Sequence, residues 1–339
     1  MIELHHDELE FLFPQVHRHA KVSIEFQRTL RIPDDDSDYP LPPGLGNFPL
    51  RHVDDFAERV PRQWMRRGGV MLPMYQSEAM WLNFDSPFIT DRDTSYPCAI
   101  KVATGKINAV TGKAWNEGLH DDPQDYLIVP EQPWLDGYCV EKGIIRQFVA
   151  MPLGEGYTVE EQITGEAEHG GVQIVVYPMK RDVFERRFRR VRMRSRTDLM
   201  EALYCEAPAP EMGLGAGGRM RQEVYDDPYG LSDWEQTAGS RCFVHIANSI
   251  AWRAITGKAP PTMPPTASQY TDAGLPWFEY YGDAPAREGV ETLANVKTVY
   301  QIGNEKGKSP LPENESTDPM NVKVLRTGLA KDQVREGTF

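Results

Sequence analysis

The stretch "CAIKVATGKINAVTGKAW", residues 98–115, decides how this chain is read, because residues 242–260, "CFVHIANSIAWRAITGKAP", say nearly the same thing. Both open on Cys, both reach an apolar residue followed by Ala, and both close on Thr-Gly-Lys. An internal echo is weighed before any local feature, because it sets the architecture. In the same register Pro133-Trp134-Leu135-Asp136-Gly137-Tyr138 meets Pro276-Trp277-Phe278-Glu279-Tyr280-Tyr281. Upstream, Gly68-Gly69 meets Gly217-Gly218, and "KVSI" at 21–24 meets "GVQI" at 171–174. The matches keep their order, and the spacing between partners shrinks steadily along the chain. A duplicated domain with short deletions gives that pattern. The expectation is an α+β fold, strand-dominated, with two related halves from an internal duplication. The first half is 1–150, the second 151–302, and 303–339 is a polar C-terminal tail or arm.

Period-2 apolar runs support strands at "KVSIEFQRTLRI" and "GVQIVVYPM", and around the two cysteines. Helices are expected to be short. Val53, Phe56, Val60 and Trp64 share one helical face, with Pro61 as a kink. Thr158 and Glu161 match a capping box. Val290, Leu293, Val296 and Tyr300 are spaced helically, with a stop at Gly303. In the tail, Val322, Val324 and Leu325 form an alternating run that suits strand addition.

Of the 339 residues, 40% are hydrophobic and 26% charged, and the net charge is −13. That is a soluble composition, and an acidic one, which disfavours nucleic acid and anionic lipid unless a local patch reverses the sign. No apolar run is long enough for a transmembrane segment. The four cysteines stand far apart, which suits reduced thiols and a cytoplasmic location.

The stretch "IRQFVAMPLGEGYTVEEQITGEAEHGGVQIVVYPMK" (145–180), with "GGRMRQEVYDDPYG" and "YTDAGLPWFEYYGD", resembles a family of uncharacterised microbial proteins. The label attached to that family, "integral membrane protein", conflicts with the hydropathy. The resemblance implies no activity, cofactor or catalytic residue.

Motifs for catalysis are missing. His17 and His19 could face the same side of a strand, but no third ligand follows and there is no H-E-x-x-H. Glu166, Glu168 and His169 read as a solvated turn. "GLGAGG" (213–218) lacks the Lys-Ser/Thr of a phosphate loop and reads as a connector. No metal and no cofactor is expected. Trp134, Trp277, Tyr138 and Tyr281 recur in the two halves. They are aromatic ligand candidates if exposed and core anchors if buried.

Charge is the strongest departure. Residues 180–196, "KRDVFERRFRRVRMRSR", hold nine Lys or Arg against two acids. At the matching place in the first half stand Asp34, Asp35, Asp36 and Asp38. Opposite clusters on equivalent loops suit head-to-tail contact between identical chains. The expected partner-binding residues are therefore Arg186, Arg187, Arg189, Arg190 and Arg192 with those aspartates, and Phe184 and Phe188 would supply affinity. The leading expectation is a soluble self-assembling structural or binding protein, a homo-oligomer with no evident catalytic site. Two alternatives stand beside it. One is an enzyme acting on carbohydrate in a cleft between the halves. The other is a binder of RNA or anionic membrane surface through 180–196.

Overall fold

The computed structural model describes residues 1–35, 37–189, 211–281, 286–308 and 311–326. Strands hold 38% and helices 19%, so the strand-dominated α+β reading stands. The body strands are β1 (Ile2–His5), β2 (Glu8–Leu12), β3 (Lys21–Thr29), β4 (Val70–Met74), β5 (Ala79–Asp85) and β6 (Cys98–Thr104). They continue with β7 (Ile144–Pro152), β8 (Val172–Pro178), β9 (Glu211–Arg221) and β10 (Ser240–Asn248). A separate parallel pair, β11 (Trp277–Tyr281) and β12 (Val322–Arg326), lies near the end.

Pairing makes two antiparallel runs. One is β1–β2–β3–β5–β7–β9. The other is β6–β8–β10, with β4 added parallel to β10. The runs join where Glu211 and Met212 pair with Ala247 and Ile246. A single cluster takes Phe11, Ile24, Leu82 and Phe148 from the first run and Leu72, Ile100, Ile174 and Val244 from the second. Both runs therefore turn one face to a shared core, the arrangement of a sandwich.

The outer faces carry satellite clusters under short helices. Over β4 and β10, α1 (Arg62–Arg67) and α4 (Ser249–Thr256) bury Trp64, Met71, Trp252 and Ile255 together. Val53, Phe56 and Val60 join them, as their spacing predicts. Over β7, Val149 and Met151 meet Tyr157 and the Val299 and Ile302 side chains. Three further short helices are α2 (Val159–Thr164) after β7, α3 (Arg181–Arg187) after β8 and α5 (Ala267–Asp272) after α4. Last come α6 (Glu291–Ala294) and α7 (Val299–Glu305). Among the described residues no helix is long and apolar enough to cross a membrane.

The duplication is not shown. The Cys98 stretch is β6 followed by a tight turn, in which the Asn108 side chain accepts the Val110 and Thr111 amides, both at 2.9 Å. The Cys242 stretch is β10 followed by α4, which Asn248 caps by accepting the Ala251 amide at 2.8 Å. Similar words thus end in a turn once and in a helix once. Trp134 pairs with Asn83 of β5, whereas Trp277 pairs with Val322 of β12. The 150/151 boundary falls inside β7, and strands of the two expected halves alternate through pairs such as β6–β8 and β4–β10. The tail run behaves as its alternation suggests, for β12 adds in parallel to β11 of its own chain.

Candidate anion-binding cavity

The expected charge clusters bond within their own chain. Asp34 is buried, with its Oδ1 3.7 Å from Arg146 Nη1. Asp35 accepts the Tyr39 hydroxyl at 2.7 Å and the Ser37 amide at 3.1 Å. Asp38 accepts Arg219 Nε at 2.7 Å, and Arg219 also bonds Glu141 at 2.8 Å. Arg186 lies 3.5 Å from Asp182, and Arg187 bonds Asp233 at 2.7 Å. Arg189 is exposed. Asp36, Arg190 and Arg192 lie outside the described residues. Phe184 offers no affinity surface: it is fully buried, its ring 4.2 Å from that of Tyr96. Phe188 packs against the same core.

Tyr138 and Trp277 anchor packing rather than present rings. Tyr138 is buried, donates to the Leu214 carbonyl at 3.2 Å and meets the Thr104 hydroxyl at 2.7 Å. Trp277 is buried and donates to Thr271 Oγ1 at 3.2 Å. Trp134 is half-buried, edge-on to Trp81 and Tyr280. The Tyr281 side chain lies outside the described residues.

The remaining sequence candidates are structural too. His17 stacks on Tyr96 and bonds Glu185 at 3.2 Å. The loop carrying Glu168 and His169 is gathered by the buried Glu160 carboxylate, which accepts three successive amides from Glu168, His169 and Gly170. Asp125 pairs with the fully buried Lys101 at 2.7 Å. Cys98, Cys139 and Cys242 are buried and free, and burial pushes the last two thiols up to about 11 and about 12. On the outer face of the first hairpin Glu3, His5 and Glu10 bring ligand atoms within 4.8 Å of one another, with Lys21 already 3.2 Å from Glu10.

"GLGAGG" is neither a phosphate loop nor a connector, because it runs through β9. Its glycines let neighbours approach. A Cβ on Gly215 would stand 2.9 Å from the Tyr157 carbonyl oxygen and 2.9 Å from a Val299 methyl. This close approach seats α7 on the outer face of β7 and β9, and so builds one wall of a cavity.

That cavity holds the residue the sequence reading missed. Its floor is Arg31, Met151, Tyr157 and Val299, all buried. Its rim includes the exposed Gln76, Asn304 and Lys308, together with Asn314 from the short turn Pro312–Asn314. Its volume is about 60 Å³, against roughly 10–15 Å³ for a single water on the same measure. Arg31 is only 3% exposed, and none of its three guanidinium nitrogens has a hydrogen-bond partner. Burial lowers its pKa to about 10, opposed by the Glu313 and Asp34 carboxylates. A guanidinium remains charged at that value, with five N–H donors to satisfy.

The sequence signal for Arg31 was faint. It follows "FQRTL", where period 2 places it on the outer face, as an ordinary solvated arginine. The elements that cover it lie more than 260 residues downstream, beyond the reach of local pattern.

No protein-family model matches the chain, and neither a curated protein nor a solved structure matches it.

Proposed function

We propose that this chain is a binding protein that takes an anionic group in the cavity at Arg31. One observation carries the reading: a fully charged guanidinium is buried, faces an open space, and lacks every hydrogen bond it could make. A buried donor left unmade costs about 1–3 kcal/mol, and more when charged. Side chains in such a state are rare, and each one asks for a partner. A carboxylate or a phosphate supplies it, because both accept paired N–H donors from arginine in charge-assisted bonds.

The test is thermal unfolding and calorimetric titration of the full chain with acetate and with inorganic phosphate. Binding to the folded state alone stabilises by about 2.7 kcal/mol at one hundred times Kd. Arg31→Met should abolish that gain. The same variant should be more stable than the native chain without ligand, since an apolar replacement for an uncompensated buried charge is often stabilising. If no anion shifts the melting temperature and Arg31→Met destabilises the chain, the reading fails.

Self-association is a second reading, favoured by β12. Among the described residues this strand pairs only with β11, and Val322 and Val324 on it are 36% and 51% exposed beside Met320 at 90%. Contact between the 34–38 and 180–196 segments of neighbouring copies has less support, because Asp34, Asp35, Asp38, Arg186 and Arg187 have partners within their own chain.

A further inference from the structure

We propose that the ligand of this cavity is a small zwitterion, an α-amino acid with a short side chain, its carboxylate on Arg31 and its ammonium on Glu313 and Asn314. This rests on the anion reading above and narrows it.

The narrowing comes from the turn that carries Asn314. Glu313 Oε2 and Asn314 Oδ1 are both buried and, like the Arg31 nitrogens, have no hydrogen-bond partner. Both belong to the turn Pro312–Asn314, beside Leu311, which also lines the pocket. Asn314 lines the cavity directly. The Glu313 carboxylate is the strongest charge acting on Arg31. The pocket therefore offers unfilled donors on Arg31 and an unfilled acceptor on Asn314, with the unpartnered Glu313 oxygen on the adjoining residue of the same turn.

A fully ionised anion answers only half of that. It would satisfy Arg31, leave the acceptors empty, and be repelled by Glu313. A simple amine has the reverse defect. Lys308 does not tip the balance, since its Nζ is 3.2 Å from Glu155 and lies over the Tyr157 ring at 5.2 Å. Asp34, the other carboxylate acting on Arg31, lies 3.7 Å from Arg146, which leaves one buried cation and the Glu313 anion to complement a molecule with one charge of each sign. An ammonium group has three donors and no acceptor, matching a carboxylate and an amide oxygen. Inside the polar rim, Met151, Val299 and Leu311 give the lining an apolar part that suits a short side chain. About 60 Å³ admits a ligand the size of glycine or alanine and excludes an aromatic amino acid.

The experiment is calorimetric titration of the full chain with glycine, L-alanine, L-tryptophan, acetate, ethylamine and inorganic phosphate. Glycine and alanine should bind at least tenfold more tightly than acetate or ethylamine, and tryptophan should not bind. Glu313→Gln, at a half-exposed position, should weaken alanine at least tenfold while leaving acetate unchanged or tighter. Arg31→Met should abolish binding of both. If acetate or phosphate binds more tightly than either amino acid and Glu313→Gln does not weaken alanine, the zwitterion is overturned and the anion reading stands. If no probe binds, both fall, and the orphaned groups are bridged by water alone.

Discussion

His245 lies between the rings of Trp64 and Phe243, at centroid distances of 4.5 and 4.4 Å, with Nε2 3.1 Å from the Gly68 carbonyl oxygen. Burial lowers its pKa from 6.5 to about 3. Asp136 is buried and hydrogen-bonded to the Gln222 amide at 2.6 Å, and burial raises its pKa from 3.8 to about 7. These shifts pull in opposite directions. Below pH 6.5 the unfolded chain accepts a proton on His245 that the folded chain refuses, so stability falls as the pH drops. Between pH 7 and 3.8 the folded chain keeps a proton on Asp136 that the unfolded chain releases, so stability rises as the pH drops. From pH 7 to 5 each effect amounts to about 2 kcal/mol. The two nearly cancel in the native chain. Relative to it, Asp136→Asn should lose about 2 kcal/mol on going from pH 7 to 5, and His245→Phe should gain about as much. Denaturant midpoints at pH 5, 6 and 7 read this directly, and slopes of the same sign in both variants would refute it. Neither residue stands out in the sequence. A histidine in "CFVHIAN" reads as a strand residue, and its two flanking rings come from Phe243 nearby and from Trp64, far away in the chain.

The elements show where local pattern succeeds and where it stops. The capping box at Thr158 and Glu161 is present with both of its bonds, because it needs nothing beyond four consecutive residues. The basic run begins as the helix α3, with Phe184 on its buried side. The apolar spacing from Val290 to Tyr300 reads as a single helix, yet the chain forms α6 and α7 with a break between them. Thr298 and Gln301 make another capping box there and start a new helix, a signal the hydrophobic period overrides. Glycines in β9 escaped for a related reason, since their purpose lies in what packs on them. Gly215→Val tests that purpose. The added methyls would collide with the Tyr157 backbone and with Val299, lifting α7 from the sheet. Overpacking of this kind costs about 1–3 kcal/mol. The variant should also lose ligand stabilisation while keeping its sandwich, which near-unchanged far-ultraviolet circular dichroism would confirm. Retained binding in a stably folded Gly215→Val chain would separate α7 from the cavity.

At the scale of the molecule, the α+β class was legible because strand period and short capped helices are local properties. The two-half architecture rested on matched words, and those words sit in unlike settings, because a three-residue motif such as Thr-Gly-Lys ends many kinds of element. Gly112 and Gly257 share only a left-handed backbone, φ 64° in one and 82° in the other. Assembly belongs to this scale as well. If copies join through β12, Val324→Lys should turn a concentration-dependent oligomer into a monomer without changing the melting temperature of the monomer, because a charge on an open strand edge blocks edge pairing. Sedimentation at micromolar concentration decides it, and a native chain that is already monomeric there ends the idea. The parallel pairing of β4 with β10 has a consequence for synthesis. Residues 70–74 leave the ribosome well before residues 240–248 exist, and the cover of Arg31 is made later still. Until residues 240–248 are made the chain carries an unfinished strand edge, and until residues 299–314 follow it carries a hydrated arginine.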